Sequence, residues 1–278
     1  MAQSPSSPGR FGGTALWLES PPDTAATGAV DVLTRATAAV GAAERVGITT
    51  VWVTESPCPA GADTPYEAYS LLGALAVPST GARLGVVADG AERRAPSILA
   101  KIVTGVDVIS HGRAVLALDG DCGAPGDAER LSEALTVCRS VLVDEHPTFA
   151  GRIYSVDDAV NRPAPVQAGG VPLVVFLHGD GPGWEPLLDV AARLADAVVV
   201  DGRADRVAEV RRTIGERADR DDHPGGGVEV LARIGSDGGG RRAADAVAGV
   251  RAAGADGCLV GIPFPWDPAA VEALATSW

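Results

Sequence analysis

The amino-acid sequence predicts an α/β fold, a closed (β/α)₈ TIM barrel, on the basis of three observations. Short runs of β-branched and other apolar residues alternate with segments of helical periodicity along the chain. Eight strand–helix units can be counted in 278 residues, which is the length of one barrel domain. Polar and acidic residues collect directly after the strands, where barrels keep their binding sites. An open doubly wound sheet is the alternative, because periodicity alone does not reveal closure.

The clearest unit lies in the centre of the chain. Leu84 to Ala88 is an apolar run typical of a strand buried on both faces, and Ala114 to Leu118 has the same character. Between them, apolar residues from Pro96 to Ile109 recur at helical spacing, and Gly112 follows as a left-handed stop. A strand–helix–strand unit of this length predicts two parallel, neighbouring strands.

The other elements continue this alternation. Before the central unit we expect strands at 14–18 and 48–54 and helices at 30–46 and 66–77. After it we expect helices at 127–143, 184–194, 207–218, 243–253 and 268–275, and strands at 173–177, 197–200, 228–234 and 257–261. Asp127 is expected to cap the first of these helices, and Gly151 to form the turn of a small excursion at 146–156.

Composition limits the classes of partner and compartment. A formal net charge of −13 with only 23 Lys and Arg argues against nucleic acid or an anionic membrane as a partner, because phosphates attract basic surfaces. The four cysteines stand far apart without a CxxC pair, so we expect neither disulfides nor a zinc site, and a cytoplasmic location. Residues 1–12 are expected to be a flexible leader and residues 13–278 a single domain without a membrane span.

The residues that follow the strands would face one cavity if the barrel prediction is right. They are Glu19, Glu55, Asp89, Asp119, Asp121, His178, Asp180, Asp201, Asp237 and Trp266. Three interpretations compete at this edge: a divalent metal site, a phosphate held by the turn after the fifth strand, and helix capping with loop solvation. His178 is the histidine that lies at this edge, and either a structural or a catalytic role is open to it.

A glycine-rich turn follows the predicted fifth strand and opens directly onto a helix. It reads His178-Gly-Asp-Gly-Pro-Gly183, and backbone N–H groups at such a helix start can hold a phosphate. Glycines after a strand are also ordinary turn residues, and Asp180 would repel a phosphate unless an arginine offset its charge.

Four segments together resemble the bacterial luciferase-like monooxygenases, in particular their deazaflavin-dependent branch. They are AAERVGITTVWVTE, RLGVVADGAERRAPSILAKIVTGVDVISHGR with its Asp-x-x-Ser-x-Gly-Arg turn, FAGRIYSVDDAVNRPAPVQ, and LHGDGPGWEPLLDVAARLADAVV. The resemblance implies a barrel that binds coenzyme F420, or FMN as the alternative, in its mouth and transfers hydride or oxygen to a small organic substrate. It also implies a homodimer.

Site residues follow from this resemblance by position. Val87, Ala88 and Asp89 would lie against the cofactor ring, and Asp119, Gly120, Gly179 and Gly181 would lie near the cofactor, the last two at its phosphate. Glu55 and His178 are the candidates for catalysis, and no metal is implied. Asp119 and Asp121 stand where the family usually has small residues, and Ser56 where a histidine is common. The alternative is therefore a descendant without a cofactor that uses the barrel as a binding protein or as a lyase, isomerase or cyclase.

Overall fold

The structure, a computed structural model, describes residues 9–19, 29–55, 67–88, 94–121, 126–218, 227–235 and 239–275. Its barrel strands are β1 (Gly13–Leu18), β2 (Thr50–Glu55), β3 (Arg83–Ala88), β4 (Ala114–Asp121), β7 (Leu173–His178), β8 (Ala197–Asp201), β9 (Glu229–Ile234) and β10 (Gly257–Ile262); β5 (Phe149–Ala150) and β6 (Ser155–Val156) pair separately. The helices are α1 (Ala29–Arg45), α2 (Ala68–Ala76), α3 (Pro96–Ile109), α4 (Asp127–Val143), α5 (Trp184–Leu194), α6 (Ala204–Ala218), α7 (Gly239–Ala252) and α8 (Pro268–Ala275).

Within the described ranges, eight parallel strands close into one barrel, which confirms the predicted fold class and excludes the open sheet. Strands β1, β2, β3 and β4 follow one another around the barrel, β7 to β10 complete the circle, and β10 pairs with β1. The predicted excursion is the antiparallel hairpin of β5 and β6, which lies outside the barrel sheet. Because β5 and β6 do not enter the barrel, β4 and β7 are direct neighbours.

Each barrel strand buries both faces, because alternate side chains point to opposite sides of the sheet. One set packs between the strands and the helices; it includes Leu16, Val51, Leu84, Leu116, Leu173 and Val198. The other set fills the barrel interior with Phe11, Ala15, Trp52, Val87, Val115, Ala117, Val174, Phe176, Ala197, Val199, Leu231 and Leu259, with Trp17 packed against it. Residues 9–12, which the sequence assigned to a leader, thus supply Phe11 to the interior; residues 1–8 are outside the described ranges.

Several predicted boundaries differ from the structure. β4 continues to Asp121 rather than ending at Leu118, because its last residues pair with Phe176, Leu177 and His178 of β7. Gly126, with φ of +91°, occupies the cap position of α4, and Asp127 is the first helical residue rather than the cap. Helices α6 and α7 begin three and four residues before the predicted starts at 207 and 243.

The Asp-x-x-Ser-x-Gly-Arg turn lies at the amino-terminal end of β4 and fastens the fold there. Asp107 is fully buried and accepts hydrogen bonds from the backbone of Ala114, Val166 and Gln167 and from the Gln167 side chain. Arg113 donates to the carbonyl oxygens of Ala76, Ser79, Ala82 and Ser110. The most specific part of the resemblance is thus a structural element at the edge opposite the predicted site.

Candidate functional site

The carboxyl ends of the barrel strands bring several polar side chains to one mouth. Residues Trp17, Thr54, Asp119, His178, Asp201 and Arg233 continue the inward-facing rows of their strands, whose lower positions hold the interior cluster. The fully buried rings of Trp52 and Phe176 lie beneath them in an edge-to-face contact, with centroids 5.4 Å apart. A packed apolar floor therefore closes the mouth from below, as expected for a barrel whose interior is filled by side chains.

Asp119 and His178 form a close pair on one side of the mouth. Nε2 of His178 lies 2.9 Å from Oδ1 of Asp119, and only 22% of the histidine side chain and 6% of the aspartate side chain are exposed. The imidazole also stacks on Phe176, with an interplanar angle of 20°. The neighbouring positions of β4 and β7 explain the contact, since Asp119 is in register with Phe176 and Asp121 with His178.

The glycine-rich turn after β7 is held by an arginine from α6. Arg206 pairs with Asp180 and with Glu209, and its guanidinium carbon lies 4.1 Å from the centroid of the Trp184 ring. Its side chain is 9% exposed, whereas that of Asp180 is 61% exposed. The backbone N–H of Trp184 donates to the Gly181 carbonyl, so the turn leads directly into α5. Arg206 is therefore the arginine that offsets the charge of Asp180.

Trp17 of β1 and Arg233 of β9 form a second group in the mouth, four and two strands away from β7. The indole Nε1 of Trp17 donates to Oγ1 of Thr54 over 2.7 Å, and Thr54 in turn donates to the Leu18 carbonyl. The guanidinium carbon of Arg233 lies 5.2 Å from the centroid of the Trp17 ring. Arg233 forms a long ion pair with Asp201, whose Oδ1 is 3.9 Å from Nη2 of Arg233.

The structure describes some of the predicted site residues and leaves others outside its described ranges. Val87 is buried in the barrel interior below the mouth, and Gly179 adopts a φ of +78° in the turn. Gly120 faces the helix layer, since a Cβ there would be 2.8 Å from Leu177 Cδ2. Asp89 lies outside the described residues, as do the side chains of Glu55, Ala88 and Asp121.

The sequence analysis did not single out Arg206, Arg233, Trp17 or Thr54. Arg233 carried a signal, because it stands two residues after Leu231 on the inward face of a strand, where a charge is unusual. Trp17 also stands on an inward face, two residues after the interior residue Ala15 of β1. Arg206 carried none, because it belongs to a helix whose start the periodicity did not define.

Neither a metal-binding cluster nor a membrane-spanning helix is found in the part of the chain that the structure describes. Among these residues, no three His, Cys, Asp or Glu side chains converge in a way that could hold a metal ion. None of the helices in the described ranges is long and apolar enough to cross a membrane.

Both the sequence and the fold of this protein are similar to those of known proteins. Residues 10–236 match the family model described as luciferase-like monooxygenase. The fold is similar to the coenzyme F420 dependent tetrahydromethanopterin reductase of Methanopyrus kandleri, with a TM-score of 0.73, 15% identity, and coverage of 96% of this chain and 98% of that one. The fold is also similar to an F420-dependent secondary alcohol dehydrogenase in complex with an F420-acetone adduct. The TM-score is 0.76 and the identity 15%, and 96% of this chain and 98% of that chain are covered.

A third similar structure is the oxygenating constituent of 3,6-diketocamphane monooxygenase from Pseudomonas putida in complex with FMN. Its TM-score is 0.68 at 12% identity, and 96% of this chain and 98% of that chain are covered. At identities this low, similarity to a solved structure shows the fold alone. The family model, in contrast, matches the sequence itself over most of its length. The chain therefore belongs to the luciferase-like monooxygenase family.

Proposed function

We propose that this protein is an oxidoreductase that binds a flavin-type cofactor in the barrel mouth and acts on a small organic substrate by hydride or oxygen transfer. Coenzyme F420 is the first choice of cofactor and FMN the second, since two of the similar structures are F420-dependent enzymes and a third is a complex with FMN. The observation that carries the proposal is that the carboxylates of Asp119 and Asp180, which would oppose an anionic cofactor, each have a cationic or ionisable partner.

The charge of the mouth decides whether such a cofactor fits, because both candidates carry phosphate. An unpaired carboxylate about 4 Å from a phosphate would oppose binding by roughly 4 kcal/mol per unit charge at an effective dielectric constant near 20. Arg206 offsets the charge of Asp180, and the imidazole of His178 lies 2.9 Å from Oδ1 of Asp119. The donor set of the β7 turn, backbone N–H groups at the start of α5 beside a neutralised carboxylate, thus fits an anionic group.

In this proposal the residues of the mouth have separate roles. Backbone N–H groups at Gly179, Gly181 and the start of α5 would hold the phosphate. Val87 would support the ring from below, and Ala88, Asp89 and Asp119 would lie beside it. Gly120, expected near the cofactor from the resemblance, faces the helix layer and has no role in this proposal. A bound flavin or deazaflavin would supply the redox chemistry, while the protein supplies orientation and electrostatics. The buried floor of Trp52 and Phe176 would exclude water.

His178 and Glu55 are the proposed acid–base residues. Nε2 of His178 lies 2.9 Å from Oδ1 of Asp119 and its ring stacks on Phe176, so the imidazole is held at the mouth, where it can meet a substrate. Glu55 ends β2 in register with Ala88, on the side of the mouth where the ring is proposed to lie. We propose that these two residues exchange protons with the substrate.

Titration of the purified protein with coenzyme F420, and separately with FMN, tests the proposal when cofactor fluorescence is followed. Saturable binding of at least one is expected. Gly181→Asp adds a charge to the turn and should weaken binding by about tenfold or more. Gly105→Asp, on the exposed side of α3 and with open space around it, is the matched control and should bind as the wild type does. Absence of binding of either cofactor at high micromolar concentration would refute the proposal.

A second candidate is a lyase, isomerase or cyclase that needs no cofactor, or a binding protein. The buried pair of Asp119 and His178 favours it, since a carboxylate–imidazole pair can move protons without help. This candidate predicts no binding of F420 or FMN. It also predicts that small carbonyl compounds raise the melting temperature of the wild type but not that of His178→Gln.

Two further proposals concern the state of the protein in the cell. We propose a homodimer, on the strength of the family, and light scattering that gives a monomer at micromolar concentration would contradict it. We propose a cytoplasmic location, which cell fractionation with an antibody against the protein would test.

A further inference from the structure

Arg233 is placed in the mouth by the alternation of β9. Leu231 belongs to the barrel interior, so Arg233 continues the same inward row one step closer to the mouth. It is in register with Asp201 of β8 and Leu259 of β10. Its backbone is tightly held, because Gly202 donates to the Arg233 carbonyl over 2.8 Å and a Cβ on Gly202 would lie 2.6 Å from that oxygen.

The guanidinium of Arg233 has few partners for a group in this position. Its side chain is 23% exposed, and it makes no hydrogen bond to any of the residues that the structure describes. Asp201 is 3.9 Å away and half exposed, too distant for the paired hydrogen bonds that an arginine fork can make to a carboxylate. Arg206, by contrast, is engaged by Asp180, Glu209 and the Trp184 ring.

Trp17 forms a rigid platform under this guanidinium. The hydrogen bond from its indole to Thr54 fixes the ring, and the bond from Thr54 to the Leu18 carbonyl fixes Thr54. Gly261 makes room for the Glu19 carboxylate and for the ring, since a Cβ there would run into the Glu19 carboxylate and lie 3.1 Å from Trp17 Cε3. A planar guanidinium stacked on an aromatic face keeps its N–H groups at its edge, in the plane where oxyanions are bound.

We propose that Arg233 binds an oxyanion of the ligand, a carboxylate or a phosphate, with Trp17 as the stacking platform. Strand β9 is two strands from β7, so the two sites are about 10 Å apart at the strand backbones. A substrate carboxylate is therefore favoured over the cofactor phosphate that the β7 turn would hold. The assignment to substrate rests on the proposed function, whereas the oxyanion site itself does not.

The test uses the full-length protein without cofactor and three simple compounds. Benzoate offers a carboxylate on an aromatic ring, benzamide is its neutral match, and inorganic phosphate is the tetrahedral anion. Binding is followed by the NMR shift of the Trp17 indole N–H and by calorimetry. Benzoate should bind the wild type at least tenfold more tightly than Arg233→Gln does, and benzamide should not distinguish the two proteins.

Two more variants make the result specific. Arg233→Lys keeps the charge but loses the planar fork, so it should bind benzoate several-fold more weakly than the wild type, and it serves if Arg233→Gln does not fold. Arg212→Gln, on the outer helix layer where Arg212 pairs with Glu216, should bind benzoate as the wild type does. Equal benzoate affinity in the wild type and both Arg233 variants would overturn the proposal.

Cofactor titrations of Arg233→Gln identify the source of the anion. Unchanged F420 and FMN affinity together with weakened benzoate binding assigns the site to a substrate carboxylate. A parallel loss of cofactor affinity, with phosphate competing against benzoate, assigns it to the cofactor. If neither cofactor binds any variant while benzoate binding depends on Arg233, the oxyanion site stands and the proposed function fails.

Discussion

Removal of Arg206 is the sharpest test of the charge balance in the β7 turn. In Arg206→Met, the carboxylate of Asp180 would lose the cation that pairs with it. A unit charge about 5 Å from a bound phosphate costs roughly 3 kcal/mol at an effective dielectric constant near 20 and under 1 kcal/mol in water. Asp180 is 61% exposed, so we expect an intermediate value of about 1–2 kcal/mol. Cofactor affinity should therefore fall by about 5- to 30-fold.

The double variant Asp180→Asn with Arg206→Met separates charge from folding. It removes both charges of the pair, so cofactor affinity should return to within about threefold of the wild type. Its stability should not return, because Arg206 also stacks on Trp184 at 4.1 Å, a contact worth about 1–2 kcal/mol at a largely buried position. Affinity is measured by fluorescence titration and stability by urea unfolding of the same preparations.

Two outcomes would refute this reasoning. If Arg206→Met binds F420 and FMN as tightly as the wild type, the turn does not hold the anionic group. If affinity is lost in Arg206→Met and stays lost in the double variant, the arginine acts by organising the loop, and the charge of Asp180 is irrelevant to binding.

Two further predictions concern stability. Glu44 accepts backbone hydrogen bonds from residues 80–82, and although burial raises its pKa, these bonds lower it overall. Its contribution to stability is thus present above the unfolded pKa near 4.3 and lost as pH falls through the folded pKa. The free energy of unfolding in urea should therefore fall more between about pH 7 and about pH 3 for the wild type than for Glu44→Gln. Gly85→Ala would place a Cβ 2.4 Å from Trp52 Cζ3 in the barrel interior and should cost about 1–3 kcal/mol. Gly73→Ala, in a helix with open space around it, is its control and should be neutral or slightly stabilising, and equal melting temperatures for the two variants would contradict the packing argument.

The sequence by itself determined the fold class and the edge that carries the mouth. Strand and helix periodicities are local properties, so the alternation around Leu84–Ala88 and Ala114–Leu118 could be read directly. Parallel strands share one carboxyl edge, and this rule is enough to predict that Asp119 and His178 lie at the same mouth. The boundary of β4 was missed because two aspartates look like a strand end, whereas pairing with β7 extends the strand to Asp121.

Only the tertiary structure decided which of these side chains meet. The β5–β6 hairpin stays outside the sheet, so β7 pairs with β4, and that register puts His178 within 2.9 Å of Asp119. Closure of the barrel through β10 brings the first strand near β9, which places Arg233 over Trp17. Register and closure depend on twist and on packing between residues far apart in the chain, and neither leaves a periodic signal around the residues that it joins.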